Sequence, residues 1–64
     1  MITNHKIKQT IDEVEILCTQ INDKLNQNIA ENENSEDKRT LRIIRDKNID
    51  TFLKIKELKM VGLI

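Results

Sequence analysis

Few side chains in this sequence could do chemistry. Cys18 is the only cysteine and His5 the only histidine. A nucleophilic thiolate needs an accessible, electropositive setting. Cys18 instead lies in IKQTIDEVEILCTQINDKLN, residues 7–26, among apolar residues at helical spacing and close to Glu15, so it is read as a packing residue. His5 has no serine, cysteine or carboxylate placed to complete a catalytic constellation, and is read as solvated. Asp46 and Asp50 are four apart and share a helix face. Such a pair could hold Mg²⁺ or act as acid and base. Asp50 also precedes Lys54 by four, the favourable order for a surface ion pair. Arg39, Arg42, Arg45 and Lys56 fall along one flank of the same segment, with Lys38 close by. Side chains of this kind contact nucleic-acid phosphates. Phe52, however, is the only aromatic residue, so no stacking platform accompanies the basic flank. No phosphate loop, metal box or triad is present, and a closed zinc site needs four ligands. The expectation is a protein that is not an enzyme, with no catalytic or metal residues and no cofactor.

The elements that carry these residues are two helices. Proline is absent and Gly62 is the only glycine, a composition that favours helix throughout. Ile7, Ile11, Val14, Cys18, Ile21 and Leu25 recur in steps of four and three, the a and d positions of a heptad. Thr3 is the expected N-cap, with Ile2 and Ile7 placed for a hydrophobic staple. ENENSED, residues 31–37, is polar and acidic and breaks the pattern. Ser35 is the expected cap of the second helix, with Glu36 and Asp37 favourably placed in its first turn. On that helix Leu41, Ile44, Asn48, Phe52 and Ile55 form one face, widened by Ile49 and Leu53 on one side and by Leu58 on the other. Gly62 is a natural stop. The expected layout is helix 1 over about residues 4–30, a loop over about 31–35 and helix 2 over about 36–60, folded as one all-α antiparallel hairpin domain.

Sixty-four residues make a small core, and chains of this size usually need extra support. A lone cysteine excludes an internal disulfide. The net charge is zero, yet it is unevenly spread: residues 1–37 hold three lysines and eight carboxylates, and residues 38–64 hold eight cations and three carboxylates. That asymmetry suits two helices of opposite sign lying side by side. The first residues form no apolar leader, and the longest apolar run is too short to span a bilayer. With one free thiol, these features predict a cytoplasmic location and no membrane partner. The abundance of isoleucine, asparagine and lysine suggests an AT-rich coding genome of the low-GC bacterial or phage type.

A hairpin alone cannot enclose both stripes. The wide stripe of helix 2 predicts a further surface, and so do Ile16, which points away from the first seam, and Leu17, which flanks it. The simplest such surface is a second copy, giving a homodimeric four-helix bundle or coiled-coil-like assembly. Its expected interface, or that with a partner, comprises Ile7, Ile11, Val14, Cys18, Ile21 and Leu25, with Leu41, Ile44, Asn48, Ile49, Phe52, Leu53, Ile55 and Leu58 from helix 2. Asn48 is read either as a register-setting polar residue in this seam or as an edge residue reaching water. The functional expectation is a small protein-interaction module, a regulator or inhibitor, that self-associates and binds a protein. A second reading is a helical-bundle dimer that binds RNA or DNA through Arg39, Arg42, Arg45 and Lys56. A third comes from DKNIDTFL, residues 46–53. In apolar spacing and in Asp50 it is similar to the second-helix signature Ser-Gln-Glu-Leu-Asp of the small two-helix aspartyl-phosphate phosphatases. The family's serine and glutamine are replaced by Asp46 and Lys47, so the likeness implies no more than a regulatory role centred on Asp50.

Overall fold

The computed structural model describes residues 1–64 and is an all-helical hairpin. Helix α1 spans His5–Glu31 and helix α2 spans Ser35–Met60. They pack against each other in a body of 46 × 18 × 12 Å. The shape is a rod one helix thick, so neither helix has a neighbour on the two broad sides of the pair.

Asparagines, rather than the expected Thr3 and Ser35, cap both helices. Asn4 Oδ1 accepts from the N–H groups of Lys6 at 2.9 Å and Ile7 at 3.3 Å. Asn34 Oδ1 accepts from Glu36 at 2.9 Å and Asp37 at 3.0 Å. Each cap satisfies two backbone donors that the first turn leaves unpaired. Moving the first cap by one residue removes Ile2 and Ile7 from the staple positions. Ile2 is instead half-buried, and its N–H donates to the Leu63 carbonyl at 2.9 Å.

The connection is only Asn32-Glu33-Asn34. Asn32 ends α1, donating its N–H to the Asn28 carbonyl at 3.0 Å, and its own Oδ1 accepts from Asn34 N–H at 2.8 Å. This side-chain turn reverses the chain without a positive φ at any non-glycine residue. At the other end Gly62 takes φ +77°. Its N–H donates to Lys59 O at 3.2 Å and that of Leu63 to Leu58 O at 3.0 Å. These are the two bonds of a Schellman stop, which needs the left-handed conformation that glycine adopts freely.

The least exposed residues define how the helices face. On α1 they are Ile11, Val14, Glu15, Cys18, Asn22, Leu25 and Ile29; on α2, Lys38, Leu41, Arg45, Asn48, Phe52, Ile55, Leu58 and Lys59. On α2, Leu41, Asn48, Phe52, Ile55 and Leu58 of the expected face turn toward α1, while Ile44, Ile49 and Leu53 stay exposed and Lys38, Arg45 and Lys59 are half-buried instead. The α1 series is rotated from the apolar heptad: Glu15 and Asn22 turn toward α2, while Ile7 and Ile21 each remain 46 % exposed.

Candidate interaction surface

Polar residues hold the middle of the hairpin. Asn48 Nδ2 donates to the Cys18 carbonyl oxygen at 2.7 Å. This places Asn48 in the interhelical seam, where a polar group sets register because a slipped pairing would lose its partner. Cys18 is 6 % exposed and is the one buried apolar side chain. Asn22 lies next to it, with an Oδ1 that is out of solvent and has no hydrogen-bond donor. Cys18, Thr19, Asn22, Asn48, Ile49 and Phe52 line a shallow cleft of about 280 Å³.

One turn toward the chain ends sits an ion cluster that spacing alone did not pick out. Glu15 is only 7 % exposed. It pairs with Lys56 at 2.9 Å and with Lys59, and Lys59 also pairs with Asp12. The Lys56 ammonium lies 5.4 Å from the centroid of the Phe52 ring, within cation–π range. The Lys59 and then the Lys56 hydrogen bonds hold the Glu15 carboxyl below its ordinary value of 4.5, against the opposing effect of burial. Asp12 and then Glu15 hold the Lys59 ammonium above its ordinary 10.5. The sequence did carry a signal for this cluster. Lys56 and Lys59 lie three apart on α2, at the level that antiparallel pairing sets opposite the carboxylates Asp12 and Glu15.

The basic flank of α2 is partly engaged within the hairpin. Arg45 donates through Nη1 to Asn26 Oδ1 at 3.1 Å and pairs with Asp46 at 3.3 Å, and Lys56 is held by Glu15. Arg39 and Arg42 are exposed and form no ion pair. Asp50 is exposed, and the expected Asp50–Lys54 pair does not form, because Lys54 pairs with Glu57 at 3.2 Å. His5 is exposed in the first turn of α1. No group of three or more His, Cys, Asp or Glu side chains converges. No helix is long and apolar enough to cross a membrane.

The two broad sides of the hairpin differ. Asp12, Glu15, Ile16 and Thr19 of α1 share one side with Phe52 and Lys56 of α2, and Thr19 meets Ile49 there. This side mixes Ile16, Ile49 and Leu53 with charge. Asn28 and Glu31 share the opposite side with Asp37, Thr40 and Leu41. Residues seven apart fall nearly on one helix face. Stepping back from Asn28 and Glu31 therefore adds Ile21, Val14, Lys24 and Leu17 to that side, and stepping on from Asp37, Thr40 and Leu41 adds Ile44, Lys47, Asn48, Thr51, Lys54, Ile55 and Leu58. Leu17 is 52 % exposed, and Ile21 and Ile44 are similarly open. This second side also mixes open apolar residues, Leu17, Ile21 and Ile44, with charge, from Lys24, Lys47 and Lys54.

Comparison with known protein families, curated proteins and solved structures finds no match.

Proposed function

We propose that this chain is a non-enzymatic protein-interaction module, a small regulator or inhibitor that self-associates into a four-helix bundle and binds a protein partner through a remaining helix face. One observation carries the reading. The hairpin buries a single apolar side chain, Cys18, while leaving Ile16, Leu17, Ile21, Ile43, Ile44 and Leu53 about half exposed. Open isoleucines and leucines on both broad sides of so small a hairpin favour association, and a lone hairpin of this size is marginal without it. The side with Leu17, Ile21 and Ile44 supports the self-contact. The mixed side, with Ile16, Ile49 and Leu53 set among charges, has the composition of a partner-binding rim and core.

Nucleic-acid binding is the competing reading. It rests on Arg39 and Arg42, since the other two members of the flank are paired inside the hairpin. Affinity capture on the immobilised chain, with and without nuclease, separates the two. A protein retained equally in both samples is the expected result. Partners that vanish with nuclease, with binding abolished by Arg39→Glu and Arg42→Glu, would overturn the protein-binding reading.

A further inference from the structure

A shallow groove runs along the side of the hairpin that carries Ile16, Ile49 and Leu53. One part of it is the cleft of about 280 Å³ beside Cys18 and Asn48. A second hollow, of about 330 Å³, lies between Asp12, Glu15 and Ile16 on α1 and Lys56 on α2. The two share Thr19 and Phe52, so they form one depression between the helices. Ile16, Ile49 and Leu53 are all exposed beside it. Ile49 and Leu53 are four apart and lie one above the other along α2.

Seven-residue spacing locates the charge on this side. Stepping from Glu15 and Ile16 adds Lys8 and Asp23 on α1. Stepping from Ile49, Phe52 and Leu53 adds Lys38, Arg39, Arg42, Arg45, Asp46 and Lys59 on α2. Part of this charge is neutralised within the hairpin. Lys56 and Lys59 engage Glu15, Lys59 also engages Asp12, and Arg45 pairs with Asp46. Lys8, Lys38, Arg39 and Arg42 form no ion pair, and Asp23 is the one unpaired carboxylate among them. Three of the four free cations lie together near the loop. The opposite side has no such excess. There Lys54 is paired with Glu57, and Lys24 and Lys47 are matched in number by Glu31 and Asp37.

We propose that the occupant of this side is an acidic amphipathic helix of a protein partner. Its apolar residues meet Ile16, Ile49 and Leu53, and its carboxylates meet Lys38, Arg39 and Arg42. The proposal rests on the protein-binding reading above and adds the partner's chemistry. Two antiparallel helices leave a straight groove, and the element whose side-chain rows fit such a groove is a third helix. Arg42 and Leu53 are about 16 Å apart in helix rise, so about three turns of a partner helix span the cations and the apolar residues together. Opposite charge in the partner then selects it and sets its register. An RNA or DNA backbone would also meet the cations. It would leave Ile16, Ile49 and Leu53 uncovered and would set phosphates beside Asp23, a like charge.

The probe is a phage-displayed library of helical peptides, panned against the full chain. Enriched sequences are expected to carry apolar residues at i, i+3 or i+4 and i+7, with Asp or Glu beside them. Arg42→Glu, shown by circular dichroism to fold, is expected to weaken an enriched peptide about tenfold, and Lys47→Glu on the opposite side by less than about twofold. Enrichment of basic or uncharged peptides, or an equal response to the two variants, would overturn the proposal, and so would a library without a binder. Failure of the protein-binding reading has a separate signature, capture by the wild-type chain that is lost on nuclease treatment.

Discussion

Glu15 is the side chain whose placement departs most from its chemistry. A carboxylate in an interhelical seam is costly unless its oxygens are engaged, and Lys56 and Lys59 engage both. Its carboxyl titrates below 4.5 when folded. Its contribution to stability is therefore full above the unfolded value and is lost as pH falls through the lower folded one. Lys59, raised above 10.5, contributes fully below that value and loses its contribution as pH rises through the higher folded one. The cluster thus gives a plateau between the two limits. Glu15→Gln is expected to lower unfolding free energy at pH 7 by about 1–2 kcal/mol and to flatten the acid limb. Urea titrations at fixed protein concentration across pH 3–8 check this, and an acid limb unchanged by the substitution would contradict it. Asn48 makes the second residue-scale claim. Asn48→Ala removes the bond to the Cys18 carbonyl and should cost about 1 kcal/mol; a urea midpoint equal to wild type would show that the bond contributes nothing.

At the scale of the elements, the helices, the acidic break between them and the glycine stop are visible in composition and periodicity. A chain without proline, with apolar residues at steps of three and four, has little else to form. What periodicity could not supply is the rotation of α1. Val14 and Glu15 are neighbours on the helix surface, and apolarity alone points Val14 inward. Glu15 turns in because α2 presents two lysines at its level, a fact about the pairing of two helices rather than about either stripe. The apolar heptad left half open on Ile7 and Ile21 then becomes available to a further surface, and for the same reason the basic flank shrank once Arg45 and Lys56 found partners across the hairpin. The caps shifted for a local reason: asparagine side chains bond turns as well as helix N-termini, and here Asn32 Oδ1 accepts from Asn34 N–H in the turn while Asn34 Oδ1 accepts from Glu36 and Asp37 at the helix start. Asn34→Ala is expected to cost about 1 kcal/mol and to lower Tm by about 4–8 °C, whereas Asn34→Asp should retain most of the stability. Thermal melts followed by circular dichroism decide it. An unchanged Tm for Asn34→Ala would mean that Ser35 serves as the cap after all.

At the scale of the whole molecule, the hairpin has little interior of its own. Its inner seam is held by Asn48, by the Glu15 cluster and by a thin line of apolar side chains. Ile16, Leu17, Ile21, Ile43, Ile44 and Leu53 lie about half exposed on the outside. In the proposed assembly, burying the side that carries Leu17, Ile21 and Ile44 would convert a rod with little interior into a bundle, and would leave the opposite side and the basic residues Arg39 and Arg42 for other molecules. Folding and association are then linked, so stability should rise with protein concentration. The most direct test is sedimentation equilibrium of the wild-type chain at micromolar concentration. A mass twice the 7.5 kDa of the chain, returning to the single-chain value on dilution or in the Leu17→Lys variant, is the expected result. A monomer that unfolds cooperatively, at a midpoint independent of concentration, would contradict the proposal that a second copy covers the side with Leu17, Ile21 and Ile44.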